Sequence, residues 1–512
     1  MLPCSRILAL TGSFLCATAA SCAPAQAPAR TEAHPTAPQT LAAPVSSAPM
    51  VTATGEPSKL EPELAPDVLP YRETAAAILR ASLASDDAYQ KLAQLCDDIG
   101  PRLSGSLGLE RGVAWARQTF EAEGHENVAL EPVQVPHWVR GLESAELLVM
   151  PRRKLHVLTL GGSVPTPPAG LTAELMVVHS FDELEARKQD VRGKIVLFDH
   201  PMRREGNPAL NYGAALPYRS TAAMRAAPFG AVAVLTRSLT ANSLGAAHTG
   251  SMRYAPEPAR KIPAAALPVE EAELLSRLAQ RHAGLKIKLT LLPQTLPDAQ
   301  SANVVAELRG REKPEEVVLI GAHLDSWDVG QGAQDNGAGV VTVMQALTTL
   351  RKLGLRPRRT LRAVLFTNEE NGVRGGKTYA ETHREELAHH EAAFEIDLGA
   401  GAPLGFMTDG EPNYLPQVSE IARLLTPFGA SSVFPGYPGE DVLMLKAASV
   451  PLFGMWLDVS HYFDVHHSAA DTLDKVNPEN LKKNVAALAT QAFVIADRER
   501  SLRAPLASGA AP

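Results

Sequence analysis

The stretch Val317–Leu353, VVLIGAHLDSWDVGQGAQDNGAGVVTVMQALTTLRKL, decides the fold. It opens with an unbroken apolar run, Val317 to Ala322, of the kind shown by a strand buried on both faces. The run ends at His323, Asp325 follows two residues on, and Asp335 lies beyond them in a glycine-rich loop. Val340, Val343, Met344, Leu347 and Leu350 then share one face at helical spacing. A strand thus delivers His323 and Asp325 to its C-terminal end, and a loop carries Asp335 to a helix start. Open α/β sheets keep their ligand sites at that edge. The loop lacks the Gly-Lys-Ser/Thr ending of a phosphate cradle.

The pattern repeats downstream. Leu361 to Thr367 is a mostly apolar strand, followed by Glu369-Glu370 just ahead of Gly372, Gly375 and Gly376. Ala393 to Ile396 is a short strand ending in Asp397. Leu452 to Leu457 is another, and past it Asp464-Val-His-His-Ser-Ala-Ala-Asp-Thr holds His466, His467 and Asp471. Asn477-Pro478 is placed to cap a last helix running to about Asp497, since proline suits a first turn. The strand ends together offer His323, Asp335, Glu369, Glu370, Asp397 and one of His466 or His467. Taken singly, each reads as a surface or helix-cap residue. Gathered after successive apolar strands, they are the carboxylates and imidazoles that a catalytic zinc site with an open position uses. Five ligands sharing one carboxylate suit two metals about 3.5 to 4 Å apart, with the sixth group free as a base.

A length of 512 residues predicts two or three domains and ample core. A net charge of −7 without a basic block excludes nucleic acid as an expected partner. Cys4, Cys16 and Cys22 precede the body of the chain and only Cys96 lies in it, so no disulfide framework or cysteine metal site can be built. Residues 1–22 read as an export signal: Arg6 supplies a positive charge and Ile7 to Ala20 an apolar core too short to span a membrane. Ala19-Ala20-Ser21-Cys22 resembles a bacterial lipoprotein box, leaving two alternatives: a membrane tether through lipidated Cys22, or ordinary cleavage near an Ala-x-Ala site. The protein is therefore expected to be exported, whether periplasmic, extracellular or lipid-anchored. Residues 23–67, dense in Ala, Pro, Thr and Ser, read as a disordered tether.

Helices are expected at Tyr71–Leu83, Ala88–Asp97 and Gly108–Glu123, and a strand at Val128–Val135. Composition shifts at Gly161 to Gly170, and short strands follow at Glu174–Val178, Lys194–Phe198 and Ala231–Leu235, then a helix at Glu270–Ala283. This predicts an α/β fold with a mixed, mostly parallel sheet sandwiched by helices. The catalytic domain is expected at 68–165 and 291–500, interrupted by a β-rich insert at 166–290 and followed by a flexible tail at 501–512.

His323-x-Asp325, Asp335-Asn336-Gly337, Glu369-Glu370, Asp397 and His467-Ser-Ala-Ala-Asp-Thr together resemble the co-catalytic zinc exopeptidases, which include leucyl aminopeptidases and glutamate carboxypeptidase II. His323-Leu-Asp-Ser-Trp-Asp-Val-Gly-Gln-Gly and Gly100-Pro-Arg-Leu-Ser-Gly are most similar to the carboxypeptidase Q branch. In the insert, Gly193-Lys-Ile-Val-Leu, Gly230-Ala-Val-Ala-Val and Lys261-Ile-Pro-Ala-Ala resemble a protease-associated domain. The resemblance implies two Zn2+ ions bridged by Asp335, with His323 and Asp397 completing one and Glu370 and His467 the other. It implies Glu369 as general base, Asp325 accepting a hydrogen bond from the His323 ring, Tyr437 at the oxyanion, and a cis peptide at Asp335-Asn336. The activity implied is hydrolysis of short peptides, chiefly dipeptides. The alternatives are a broad aminopeptidase and an inactive binding protein of the same fold. A homodimer stays an open expectation. Asp325, Asp328, Glu369 and Glu370 are expected to form an acidic rim, with Arg374 its only cation, which favours capture of a free amino end.

Overall fold

A computed structural model describes residues 64–503, apart from 243, 258 and 410–413; the signal at 1–22 and the tether up to residue 63 lie outside the described residues. Strand β1 (Glu126–Val139) opens the main sheet. The chain then leaves it to build a second sheet from β2 (Glu143–Leu147), β3 (Arg153–Leu155), β4 (Leu158–Thr159), β5 (Leu171–Val178), β6 (Ile195–Phe198), β7 (Ala233–Arg237), β8 (Ala264–Leu267) and β9 (Lys286–Leu291). It returns through β10 (Gln294–Leu308), β11 (Lys313–His323), β12 (Arg359–Phe366), β13 (His390–Glu395), β14 (Pro403–Thr408), β15 (Ser432–Pro435) and β16 (Leu452–Leu457).

The main sheet runs β1-β10-β12-β11-β13-β16-β14-β15. Its centre, β12-β11-β13-β16, is parallel, and β1, β10 and β14 join antiparallel. From β11 the chain steps to β12 on one side and then crosses back to place β13 on the other. The strand order therefore reverses at β11, the position where open α/β sheets leave a crevice outside their carboxyl ends. His323 is the last residue of β11.

The apolar run of β11 serves two cores. Val318, Ile320 and Ala322 join one with Val340, Val343, Met344 and Leu347 of the helix Ala338–Lys352, and Leu319 joins another with Tyr379 and Val442. Helices therefore cover both faces, as the run predicts. The helix Ala338–Lys352 is buried all round from Ala338 to Leu350, not on one face only, because the helix Pro478–Asp497 lies along it. Its polar side is satisfied internally: Gln345 accepts from Lys91 Nζ (2.6 Å), and Thr348 donates to Glu123 (2.7 Å). Asn477 caps the long C-terminal helix, its Oδ1 accepting from the N–H groups of Glu479 (2.9 Å) and Asn480 (3.2 Å).

The second sheet, β3-β2-β9-β5-β6-β7-β8-β4, has a parallel centre and apolar residues on both faces. Leu184 and Ala222 come from helices on one face, Ala272 and Leu275 from Val269–Arg281 on the other, so the unit is an α/β layer instead of the β-rich insert expected. It begins at Glu143, upstream of the Gly- and Pro-rich stretch, which is a loop within it. At the chain ends, Leu64 and Ala65 already pack on the main core, although they belong to the stretch read as tether. Residues 501–503, read as tail, are anchored: Ser501 donates to Glu391 (2.8 Å) and Leu502 is buried.

Leu347 is fully enclosed between sheet and helices. Leu347→Ala is expected to lower the unfolding free energy by about 2–5 kcal/mol, measured by chemical denaturation.

Candidate metal centre

Four parallel strands end at one edge, and each supplies side chains just past its last residue. His323 closes β11, Glu369 and Glu370 follow β12, Asp397 follows β13, and His466 and His467 follow β16 through a short helix, Tyr462–Val465. Asp335 arrives on the loop ahead of the helix Ala338–Lys352, and the Asp335–Asn336 peptide is cis, as expected. His323, Asp335, Asp397, Glu370, His466 and His467 meet at short range, with Glu369 lining the space beside them. His323 Nε2 lies 3.0 Å from Asp397 Oδ1 and 3.2 Å from Asp335 Oδ1. On the other side of Asp335, its Oδ2 lies 3.1 Å from His467 Nε2, which is itself 3.0 Å from Glu370 Oε2. His466 stacks on His467, with ring centroids 3.6 Å apart, and sits farther from Asp335 at 3.4 Å.

Asp325 behaves differently from the expectation. The His323 ring donates from Nδ1 to the Asp325 backbone carbonyl (3.0 Å), and the Asp325 carboxylate is 3.7 Å away. That carboxylate instead accepts the N–H groups of Glu369 (3.0 Å) and Glu370 (3.3 Å). Two residues after a strand end, the chain has turned, so the nearer acceptor for the ring is main chain. Asp325 therefore fixes the His323 tautomer through its carbonyl and the glutamate pair through its side chain.

Further residues hold the loops. Asp471 accepts the N–H groups of Gln334 (2.7 Å) and Asp335 (3.1 Å). Asn336 donates to the Ile396 carbonyl (2.6 Å), next to Asp397. Arg102, in the Gly100 motif, is fully buried and donates to the carbonyls of Gly100, Leu324 and Gln331 (each 2.8 Å) and Gly332 (3.0 Å). Ser104 in the same motif accepts from Asn368 (2.8 Å), ahead of the glutamate pair.

A cavity of about 430 Å³ opens beside the cluster, lined by Asp335, Glu369, Glu370, Asp397, Tyr437 and Glu440 together with Tyr212, Leu216 and Arg219 of the second-sheet unit. Tyr437 stands at its edge, 37% exposed. The acidic rim differs from the sequence reading. Asp325 is buried and committed to backbone, Asp328 pairs with Arg140 (2.8 Å), and Arg374 faces Asp298 (3.4 Å). The cation lining the cavity is Arg219, and Glu440 joins the acids. No local pattern around Arg219, Tyr212 or Thr249 marks them, because they reach the site from another sheet.

The electrostatics are those of a crowded, dry cluster. Burial, with the charge of Asp335 beside it, pushes Glu370 up to about 7. Burial and the carboxylates of Asp397, Glu370 and Asp441 push Glu369 well above the carboxylate range, although His323 opposes the shift. Burial disfavours a charged His467, yet Glu370 and Asp335 outweigh it and raise the ring to about 9. Asp335 Oδ2 and Glu370 Oε1 are buried with no hydrogen-bond partner. Orphaned carboxylate oxygens and imidazoles gathered around one shared aspartate fit divalent cations, whose charge would reverse these shifts.

Comparisons with known proteins agree. The profile of peptidase family M28 matches residues 303–492. Carboxypeptidase Q of Bos taurus is 39% identical over 462 residues, 90% of this chain and 96% of that protein. The crystal structure of a peptidase M28 precursor from Shewanella amazonensis SB2B has a TM-score of 0.82 at 37% identity, covering 85% of this chain and 99% of that one. A zinc aminopeptidase from Bacillus subtilis shares the fold, with a TM-score of 0.61 at 20% identity, covering 81% of this chain and 96% of that one. Fold and site together define a metallo-exopeptidase. The chain belongs to peptidase family M28, with carboxypeptidase Q among its relatives.

Stripping the metal has a predictable pH signature. Glu370 (about 7), Asp441 (about 8) and His467 (about 9) all bind protons more tightly folded than unfolded. The unfolded chain therefore holds fewer protons in this range, and stability must fall as pH rises. Thermal melts of chelator-treated protein should decline in midpoint from pH 6.5 to 9, and zinc should flatten the decline.

Proposed function

We propose that the protein is an exported, zinc-dependent exopeptidase that hydrolyses short peptides, dipeptides first among them. The observation that carries this reading is the position of Asp335, with one oxygen 3.2 Å from His323 and the other 3.1 Å from His467. In this reading Asp335 would be the ligand shared by two zinc ions, His323 and Asp397 would hold one, and Glu370 and His467 the other. His467 is favoured over His466 because it approaches both Asp335 and Glu370. Bound zinc would supply a water acidic enough to attack at neutral pH. The second-sheet unit is read as the protease-associated module.

Glu369 borders the cavity and, among the described residues, forms no ion pair with His323, His466 or His467, so it is left to act as general base. It takes the proton of the attacking water and returns it to the leaving amine. Tyr437, on the same cavity wall, is assigned to donate to the developing oxyanion. Asp335, Glu369, Glu370, Asp397 and Glu440 give the cavity an acidic lining, which favours a substrate ammonium over a second carboxylate.

Glu369→Gln should keep both zinc equivalents and lose roughly 10²- to 10⁴-fold in kcat. Asp335→Ala should lose zinc at both positions, measured by elemental analysis. Loss of zinc in Glu369→Gln equal to its loss of activity would exchange the roles of Glu369 and Glu370. With zinc-loaded protein, N-acetylation of a dipeptide should abolish cleavage, and C-terminal amidation should weaken it less. Equal rates on free and N-acetylated dipeptides would move the enzyme to the carboxypeptidases.

A further inference from the structure

The second-sheet unit touches the metal centre at His467. Thr249 lies between β7 and β8, and its N–H donates to the His467 carbonyl (2.8 Å). Its own carbonyl lies 3.3 Å from His467 Nδ1. Alongside, His248 and Ser468 form an antiparallel bridge. His467 has a φ of 60°, a left-handed conformation that a residue other than glycine adopts only when its surroundings impose it. The Thr249 backbone supplies that constraint from outside the strand that carries His467.

Arg219 in turn holds Thr249. Its Nη1 donates to the Thr249 carbonyl (3.2 Å) and to the Tyr212 hydroxyl (2.8 Å), and lies 3.2 Å from His467 Nδ1. The guanidinium occupies the space over Gly250, where a Cβ would come within 2.3 Å of Cζ. Arg219 is 6% exposed, and its Nη1 bonds go to a hydroxyl and a carbonyl, not to a carboxylate. Arg219 and Thr249 together bracket the Nδ1 edge of the ring, which leaves Nε2 facing Asp335 and Glu370.

We infer that Arg219 and Thr249 are positioning residues for His467, and that the second-sheet unit is a working part of the metal centre. It sets the backbone conformation and ring orientation in which His467 can take a metal. This inference rests on the reading of His467 as a ligand.

The test is zinc affinity, measured by competition with a chromophoric chelator, with the thermal midpoint of the metal-free protein beside it. Arg219→Gln should weaken one of the two zinc equivalents roughly 10- to 100-fold and leave the other unchanged. The metal-free midpoint should stay near that of the parent. Gly250→Ala keeps the charge but displaces the guanidinium and, at a φ of 139°, strains the backbone beside Thr249, so it should weaken the same zinc equivalent. Arg219→Lys, with a donor still able to reach Thr249, should recover part of the affinity. If Arg219→Gln does not fold, these two variants carry the test. His467→Ala should lose the affected equivalent outright. Parent-like zinc binding in the Arg219 and Gly250 variants, with loss in His467→Ala, would overturn the positioning role and leave the ligand intact. Retention of both equivalents in His467→Ala would instead overturn the ligand reading. A raised KM for free dipeptides but not for dipeptide amides, with zinc affinity unchanged, would make Arg219 a carboxylate anchor and also overturn the inference.

Discussion

The constraint on which this structure depends is electrostatic crowding. Asp335, Glu369, Glu370 and Asp397 share one enclosed edge of the sheet with His323 and His467, at contacts of 3.0 to 3.2 Å where distances between imidazole and carboxylate are shortest. Like charges in a poorly hydrated space repel strongly, and burial penalises each of them. Such an arrangement persists only if the backbone holds it and a cation, or shared protons, offset the charge. The raised proton affinities of Glu369 and Glu370 express the second condition.

The first condition is met by tying each loop to another. Asp325 holds the glutamate pair, Asp471 holds Asp335, Asn336 reaches the carbonyl before Asp397, and Arg102 gathers the loop from Leu324 to Gly332. Most of these ties run from a side chain to the main chain. Two of the side chains, Asp325 and Asp471, add buried carboxylates to the crowded edge, and the backbone N–H groups they accept help offset that charge. The buried Arg102 guanidinium donates to four carbonyls, while its positive charge lies near Asp471, Asp325 and Asp335.

The second sheet extends the same logic across the molecule. Arg140, in the link between β1 and β2, joins Asp328, on the loop after His323, to the Thr159 carbonyl, and Thr249 Oγ1 donates to that same carbonyl (3.0 Å). Thr249 then meets His467. Two loops of the main sheet are thereby linked through a unit that contributes no carboxylate or imidazole to the short contacts of the cluster. The same unit walls the cavity with Tyr212 and Leu216, so the space open to substrate is shaped by both sheets.

The sequence by itself determined the parallel strands, their order of use and the acids and imidazoles at their ends. Those signals are local: an apolar run buried on both faces is written in consecutive residues, and its end marks the working edge. Val317 to His323, Leu361 to Glu370 and Leu452 to Leu457 were legible for that reason. The short strands β2, β3, β4 and β15 were not, since a few residues carry little periodic signal. Nor was the buried polar side of the helix Ala338–Lys352, which only the helix Pro478–Asp497 explains. Tertiary structure alone decided that Asp325 serves the glutamate backbone, that Arg374 turns away, and that Arg219 and Thr249 reach His467. Each of these joins residues far apart in the chain, and the geometry of a hydrogen bond between loops does not exist until the sheets have packed.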